Sequence, residues 1–282
     1  MNWAAYIRMT RPPNSILMYL AVLVGVLFSD SRNLTPATAV LSFATAYGLN
    51  GASMVVNDYF DRETDAVNRP ERPIPSGAVK PAEAIRYSIL LTAVGLAASA
   101  LTSPACLAVA SAAYLTSFLY NWRLKKAGLL GNSLVSVDVV APFIYGAVLS
   151  DGYINPRVLV FTLLAFLANN GREVVKGISD VEGDRLRDVR TVAALYGGKA
   201  AAVVGAAHYM AAVALSPLPY LLGYVGLLYL PIVAAADAGF TYTSIAIVRR
   251  PIEENAIRQK RLTLLWMFIA LLAFALGGLY LG

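Results

Sequence analysis

Long apolar stretches alternate along the chain with short segments dense in charge, proline and glycine. Nine of these stretches are predicted as membrane-spanning helices: Ser15–Phe28, Ala37–Val56, Ala82–Leu101, Ala105–Tyr120, Leu130–Leu149, Val158–Val175, Ala200–Leu215, Leu218–Val248 and Leu262–Leu281. Several approach the roughly 20 residues that cross a bilayer. The eighth is too long for one simple crossing, and Pro231 and Asp237 predict a kink or an interfacial end within it. Before the first span, Arg11-Pro12-Pro13-Asn14 is expected to exclude helix at Arg11 and to delay the span until Ser15. After the second span, Pro70, Pro73, Pro75 and Gly77 predict a stiffened connection of about 20 residues, a length typical of functional loops.

Composition agrees. Hydrophobic residues make up 58% of the 282, charged residues only 14%, and mean hydropathy is +0.60, which excludes an ordinary soluble domain. The expected fold is an all-α polytopic membrane protein with one domain over residues 1–282. The first span has many like it downstream and reads as a retained helix rather than a removed signal. The lone Cys106 excludes an intrachain disulfide, and the lone His208 excludes a polyhistidine site. With nine spans, 21 of the 23 Lys and Arg fall on one side; Arg32 and Arg157 fall opposite. The basic side is therefore expected to face the cytoplasm of a cell-membrane protein. This asymmetry accounts for the net charge of +6 without a nucleic-acid partner.

Two acidic stretches on that side carry the chemistry. The first contains Asn57, Asp61 and Asp65; the second contains Asp180, Asp184 and Asp188. In each the oxygen ligands recur every four residues, so on a helix they project from one face, one turn apart. Each member of the second set lies 123 residues after its counterpart. This predicts two pseudo-repeated four-helix units, with a ninth helix appended, around a central cavity. Hard oxygen ligands so arranged suit Mg²⁺, which takes one or two carboxylates and completes its shell with water or phosphate. Arg and Lys beside each stretch complete a diphosphate-sized constellation.

Blander readings compete with each choice. Acids on a cytoplasmic loop can merely balance arginines, but matching spacing in both halves argues against that. Arg11 also fits an interfacial anchor, and Lys125 follows an ordinary Trp-Tyr belt. Asp138, mid-span, is either a pocket residue or a carboxyl satisfied by another helix, and Asp237 is treated the same way. His208 reads as a packed core or interfacial residue rather than a base. A transporter would place its ionisable groups near the midplane at broken helices, whereas these acids cluster at helix ends. A CDP-alcohol phosphotransferase would pack its acids into one continuous stretch.

Asn57-Asp58-x-x-Asp61-x-x-x-Asp65 followed by Asn68-Arg69-Pro70-x-Arg72-Pro73 resembles the first signature of the UbiA family of intramembrane prenyltransferases. Asp180-x-x-Gly183-Asp184-x-x-x-Asp188 resembles its second, and Arg11-Pro12-x-Asn14 and Tyr120-x-x-x-x-Lys125 extend the likeness over the whole chain. The resemblance implies two Mg²⁺ ions held by Asn57, Asp61, Asp65, Asp180 and Asp184, with Asp188 nearby. It implies a polyprenyl diphosphate donor held by Arg69, Arg72 and Lys125, with Arg11, Asn14, Asn68 and Tyr120 lining the substrate. Asp61, Asp65, Asp184 and Lys125 would then be the catalytic set. Gly171-Arg172-Glu173-x-x-Lys176 is most similar to the archaeal members that add a second geranylgeranyl chain to geranylgeranylglyceryl phosphate, although Gly177 and Ser179 stand where those members carry acids. Arg172 and Lys176 would serve that acceptor's phosphate. The alternative acceptor is aromatic, such as 4-hydroxybenzoate.

Overall fold

The computed structural model describes residues 2–186 and 189–279, and these residues form helices with no strand. In chain order they are α1 (Trp3–Thr10), α2 (Pro12–Leu27), α3 (Pro36–Phe60), α4 (Arg62–Asn68), α5 (Pro81–Thr102), α6 (Pro104–Trp122), α7 (Leu129–Asp151), α8 (Pro156–Leu186), α9 (Val192–Leu215), α10 (Leu218–Leu221), α11 (Tyr229–Arg249) and α12 (Glu253–Leu279). A 3₁₀ turn, Leu124–Lys126, joins α6 to α7. Five of these helices begin on a proline: Pro12, Pro36, Pro81, Pro104 and Pro156. A proline there loses no helical hydrogen bond, and its fixed φ favours the first turn.

Among the described residues, seven helices are long and apolar enough to cross a membrane: α3, α5, α7, α8, α9, α11 and α12. The chain is a multi-pass membrane protein. The pair α1 and α2, bent by 42°, makes an eighth when counted as one span. The predicted count of nine is thus not reached on length and composition. The predicted fourth span is the helix that does not qualify: α6 has 19 residues, and its last turns carry Ser117, Tyr120 and Asn121.

Other boundaries also move. The proline pair starts α2 at Pro12 instead of delaying it to Ser15, and the arm before it is already helical. The break between α1 and α2 is confined to Arg11, in left-handed backbone at φ 47° and ψ 67°. The expected loop of about 20 residues is shorter, because α4 takes its first part and α5 begins at Pro81. Its remainder packs down through Ile74 and Val79, buried with Ala5, Tyr6, Met9, Val55 and Ala84. The sixth span does not stop at Val175: α8 continues through the second acidic stretch to Leu186. The eighth breaks between Leu221 and Tyr229, so Pro231 falls in the first turn of α11, where proline is tolerated. The seventh and ninth also begin early, α9 at Val192 and α12 at Glu253, and Gly197 interrupts α9 at φ 86°.

Contacts divide the chain into two compact units, Met1–Trp122 with Ala141–Asn155, and Arg123–Val140 with Pro156–Gly282. In the first, α3 packs on α1, α2, α5 and α6. In the second, α8 packs on α9 and α12, and α11 packs on both of those. Each acid-bearing helix meets the helix that follows its polar segment through paired glycines. A Cβ on Gly48 of α3 would lie 2.9 Å from the Leu91 carbonyl oxygen and 3.0 Å from Gly95 Cα of α5. A Cβ on Gly171 of α8 would lie 2.9 Å from the Gly205 carbonyl oxygen and 2.8 Å from the Tyr209 ring of α9. Gly48 and Gly171 are 123 residues apart, the same offset that relates the acids. Close approach through small residues is how membrane helices associate without a hydrophobic driving force.

This contact makes a prediction. Tyr209 is fully buried and its hydroxyl lies 3.1 Å from Thr263 Oγ1, so it has little room to yield. Gly171→Ala is expected to destabilise the protein by about 1–3 kcal/mol, as overpacking does. A lowered melting temperature in detergent would show it; an unchanged one would mean that α8 and α9 separate freely.

Candidate functional site

In the first unit, the acids sit where α3 gives way to α4. The helical ladder survives the join: the Asp61 amide donates to the Asn57 carbonyl (2.9 Å), and the Asp65 amide to the Asp61 carbonyl (2.8 Å). The three positions therefore keep their one-turn stagger although the helix axis is interrupted. Asp65 is 7% exposed and Asp58, one residue past Asn57, is 4% exposed. Carboxylates so buried need cations. Arg72, in the loop after α4, places Nη1 2.5 Å from Asp65 Oδ2 and 3.2 Å from Asp58 Oδ1. Arg11 places Nη2 2.7 Å from the same Asp58 oxygen. A left-handed backbone costs a residue other than glycine on the order of 1–2 kcal/mol, and at Arg11 this pairing offsets the strain.

Arg72 thus holds Asp65, and two of the predicted substrate-binding arginines, Arg11 and Arg72, are drawn onto Asp58, which the four-residue spacing passes over. The available signal was its place two helical turns before Asp65, on the same face. Asn57 donates its amide nitrogen to Asn121 Oδ1 on α6 (2.9 Å), which leaves its oxygen as the metal-competent atom. Asn14, Asn68 and Arg69 are exposed, and Tyr120 is half-buried.

In the second unit, Asp180 and Asp184 lie one turn apart on continuous α8. Asp188 lies outside the described residues. Lys260, from α12, donates to Ser179 Oγ (2.9 Å) and comes within 3.8 Å of Asp180 Oδ1. Its sequence context, one more cation in a basic segment, carried no sign of this. Arg172 and Lys176 share one carboxylate, Glu173, at 2.8 and 3.0 Å. Together the three leave one net positive charge for an anion. Lys125 is half-buried in the 3₁₀ turn, and the carbonyl of the next residue, Lys126, accepts from the Arg190 amide (3.2 Å), tying that turn to the segment after α8.

His208 and Asp237, two further polar residues inside the membrane, have structural partners. His208 Nδ1 lies 2.8 Å from the Val204 carbonyl, so that nitrogen carries the proton, and Nε2 accepts from Asn170 (3.2 Å). Asp237 accepts from Ser216 (2.6 Å). Asp138 is half-buried in α7.

The donor set fits Mg²⁺. Within either unit, no three His, Cys, Asp or Glu side chains among the described residues form a ready-made cage. What each unit offers instead is a few hard oxygens on one helix face beside cations. Mg²⁺ is commonly held this way, by one or two carboxylates with water and substrate phosphate in the other positions.

The profile of the UbiA prenyltransferase family matches residues 18–272. The chain belongs to that family. Among its relatives, the digeranylgeranylglyceryl phosphate synthase of Methanopyrus kandleri is 38% identical over 96% of this chain and 97% of its own. That of Thermococcus kodakarensis is 36% identical over 99% of both. A solved digeranylgeranylglyceryl phosphate synthase structure covers 98% of both chains with a TM-score of 0.87 and 31% identity. A UbiA homolog from Archaeoglobus fulgidus, solved with GPP and Mg²⁺, shares the fold at a TM-score of 0.71 and 17% identity, covering 96% of this chain and 99% of its own. This UbiA-family member is therefore a prenyltransferase with the family's helical fold.

Proposed function

We propose that the protein transfers a geranylgeranyl group from geranylgeranyl diphosphate to geranylgeranylglyceryl phosphate, forming the second ether bond of an archaeal membrane lipid. The observation that carries this reading is the 36–38% identity with digeranylgeranylglyceryl phosphate synthases over 96–99% of the chain. Residues 1–282 act as one catalytic domain that crosses the cell membrane nine times. The α1–α2 pair and α6 add two crossings to the seven, and the basic side with its acids faces the cytoplasm.

Asn57, Asp61, Asp65, Asp180, Asp184 and Asp188 would hold two Mg²⁺ ions. When bound, Mg²⁺ neutralises diphosphate oxygens and so improves the leaving group. Arg69, Arg72 and Lys125 hold the diphosphate as the allylic C–O bond breaks and its electron pair leaves with the phosphate oxygen. Arg11, Asn14, Asn68 and Tyr120 line the donor. Arg172 and Lys176 hold the acceptor phosphate, which orients the glycerol hydroxyl. That oxygen forms the new C–O bond and releases its proton.

The test supplies geranylgeranyl diphosphate with geranylgeranylglyceryl phosphate and with 4-hydroxybenzoate side by side. The expected product is the doubly alkylated glyceryl phosphate alone. Prenylation of 4-hydroxybenzoate without the lipid product would overturn this acceptor in favour of an aromatic one.

A further inference from the structure

Asn57 is the one amide in the proposed metal set, and an amide is an ambiguous ligand. Turned one way it offers a carbonyl oxygen; turned the other it points an N–H donor at the cation. Something must settle which, and the structure contains a chain of hydrogen bonds that does so. Asn121, on α6, is 8% exposed and in the last helical turn. Its Nδ2 lies 3.0 Å from the backbone carbonyl of Ser117, an atom that only accepts. That identifies the amide edge of Asn121 as its donor and the opposite edge, Oδ1, as its acceptor. Asn57 approaches Oδ1 at 2.9 Å, so it must do so with Nδ2. The carbonyl oxygen of Asn57 is thereby set on the other edge.

A second pair holds the two helices in the register this requires. Ser53 and Ser117 bring their hydroxyls within 2.5 Å of each other, one turn earlier on each helix. Both pairs are separated by 64 residues, so α3 and α6 run parallel here and cannot slip by one residue without losing both contacts. Asn121 Nδ2 also reaches Ser53 Oγ at 3.5 Å. Polar side chains in this part of a membrane helix are costly unless they have a purpose.

We infer that Asn121 is a positioning residue that holds Asn57 with its carbonyl oxygen toward Mg²⁺, acting through Asn57 and touching neither ion nor substrate. The inference rests on the reading of Asn57 as a metal ligand.

The test is a Mn²⁺ titration of detergent-purified protein with inorganic pyrophosphate present, following loss of the free-ion EPR signal. Four variants are compared with wild type: Asn57→Ala, Asn121→Ala, Asn121→Asp, and Asn57→Ala with Asn121→Ala. Asn57→Ala is expected to weaken Mn²⁺ binding. Asn121→Ala should weaken it about tenfold, the low end for losing a partner that orients a ligand. Asn121→Asp keeps an oxygen for Asn57 Nδ2, although it loses the donor to Ser117, and should bind Mn²⁺ more tightly than Asn121→Ala. The double variant should bind no more weakly than Asn57→Ala. A merely structural role would lower the melting temperature without moving the Mn²⁺ midpoint. Unchanged binding in Asn121→Ala, with Asn57→Ala impaired, would overturn the inference and leave the ligand reading standing; so would additive losses, or Asn121→Asp behaving like the alanine. Unchanged binding in Asn57→Ala would remove the ligand reading itself, and this inference with it. If Asn121→Ala does not fold, the near-isosteric Asn121→Leu takes its place in the same titration.

Discussion

Asp61→Ala and Asp184→Ala are each expected to reduce Mg²⁺-dependent product formation on the order of 10³-fold, equivalent to about 4 kcal/mol of transition-state stabilisation. The reasoning is electrostatic. A departing diphosphate gathers negative charge in a site where water is scarce, and fixed charges there act more strongly than in solution. Asp61 and Asp184 are the middle members of their sets, each one helical turn from the set's other members. Losing either should therefore cost metal binding. Initial rates across a Mg²⁺ titration check this, with membrane insertion and melting temperature as controls. Wild-type turnover in either variant would refute the metal assignment.

Arg72→Leu is expected to have the largest effect on stability. Arg72 is the cation on Asp65, and it shares Asp58 with Arg11. Without it Asp65 keeps a buried charge with no counterion, a loss that typically costs about 3–5 kcal/mol. The melting temperature in detergent should fall by roughly 10 °C. Adding Asp65→Asn removes the stranded charge and should restore much of the stability without restoring turnover. Arg72→Lys supplies charge but not the fixed guanidinium geometry that sets one nitrogen, Nη1, between the two carboxylates. It should fold and show a raised KM for the diphosphate donor. If Arg72→Leu melts with the wild type, the ion pairs are not structural.

These two predictions separate the loss of a metal ligand from the loss of an ion pair, and the pairing of the acids is not written in residue order. Asn57, Asp61 and Asp65 look equivalent by spacing, yet one oxygen of Asp65 is taken by Arg72 and the nitrogen of Asn57 by Asn121. Asp58 interrupts the spacing and accepts from two arginines, Arg11 and Arg72. Lys260 is distant from Asp180 along the chain and was invisible as its neighbour until α12 was seen to pack on α8.

What the sequence determined by itself was whatever depends on local periodicity and composition: the helical membrane class, most helix positions, and the one-turn spacing of acids repeated after 123 residues. Hydropathy and a period of 3.6 are properties of a short window, so they are legible without the fold. Only the tertiary structure decided which side chains neutralise one another, and where the helices start, bend and stop around Arg11, Asp61 and Leu221. A buried carboxylate takes its partner from whichever helix packs beside it, and packing joins residues tens of positions apart that no local pattern relates.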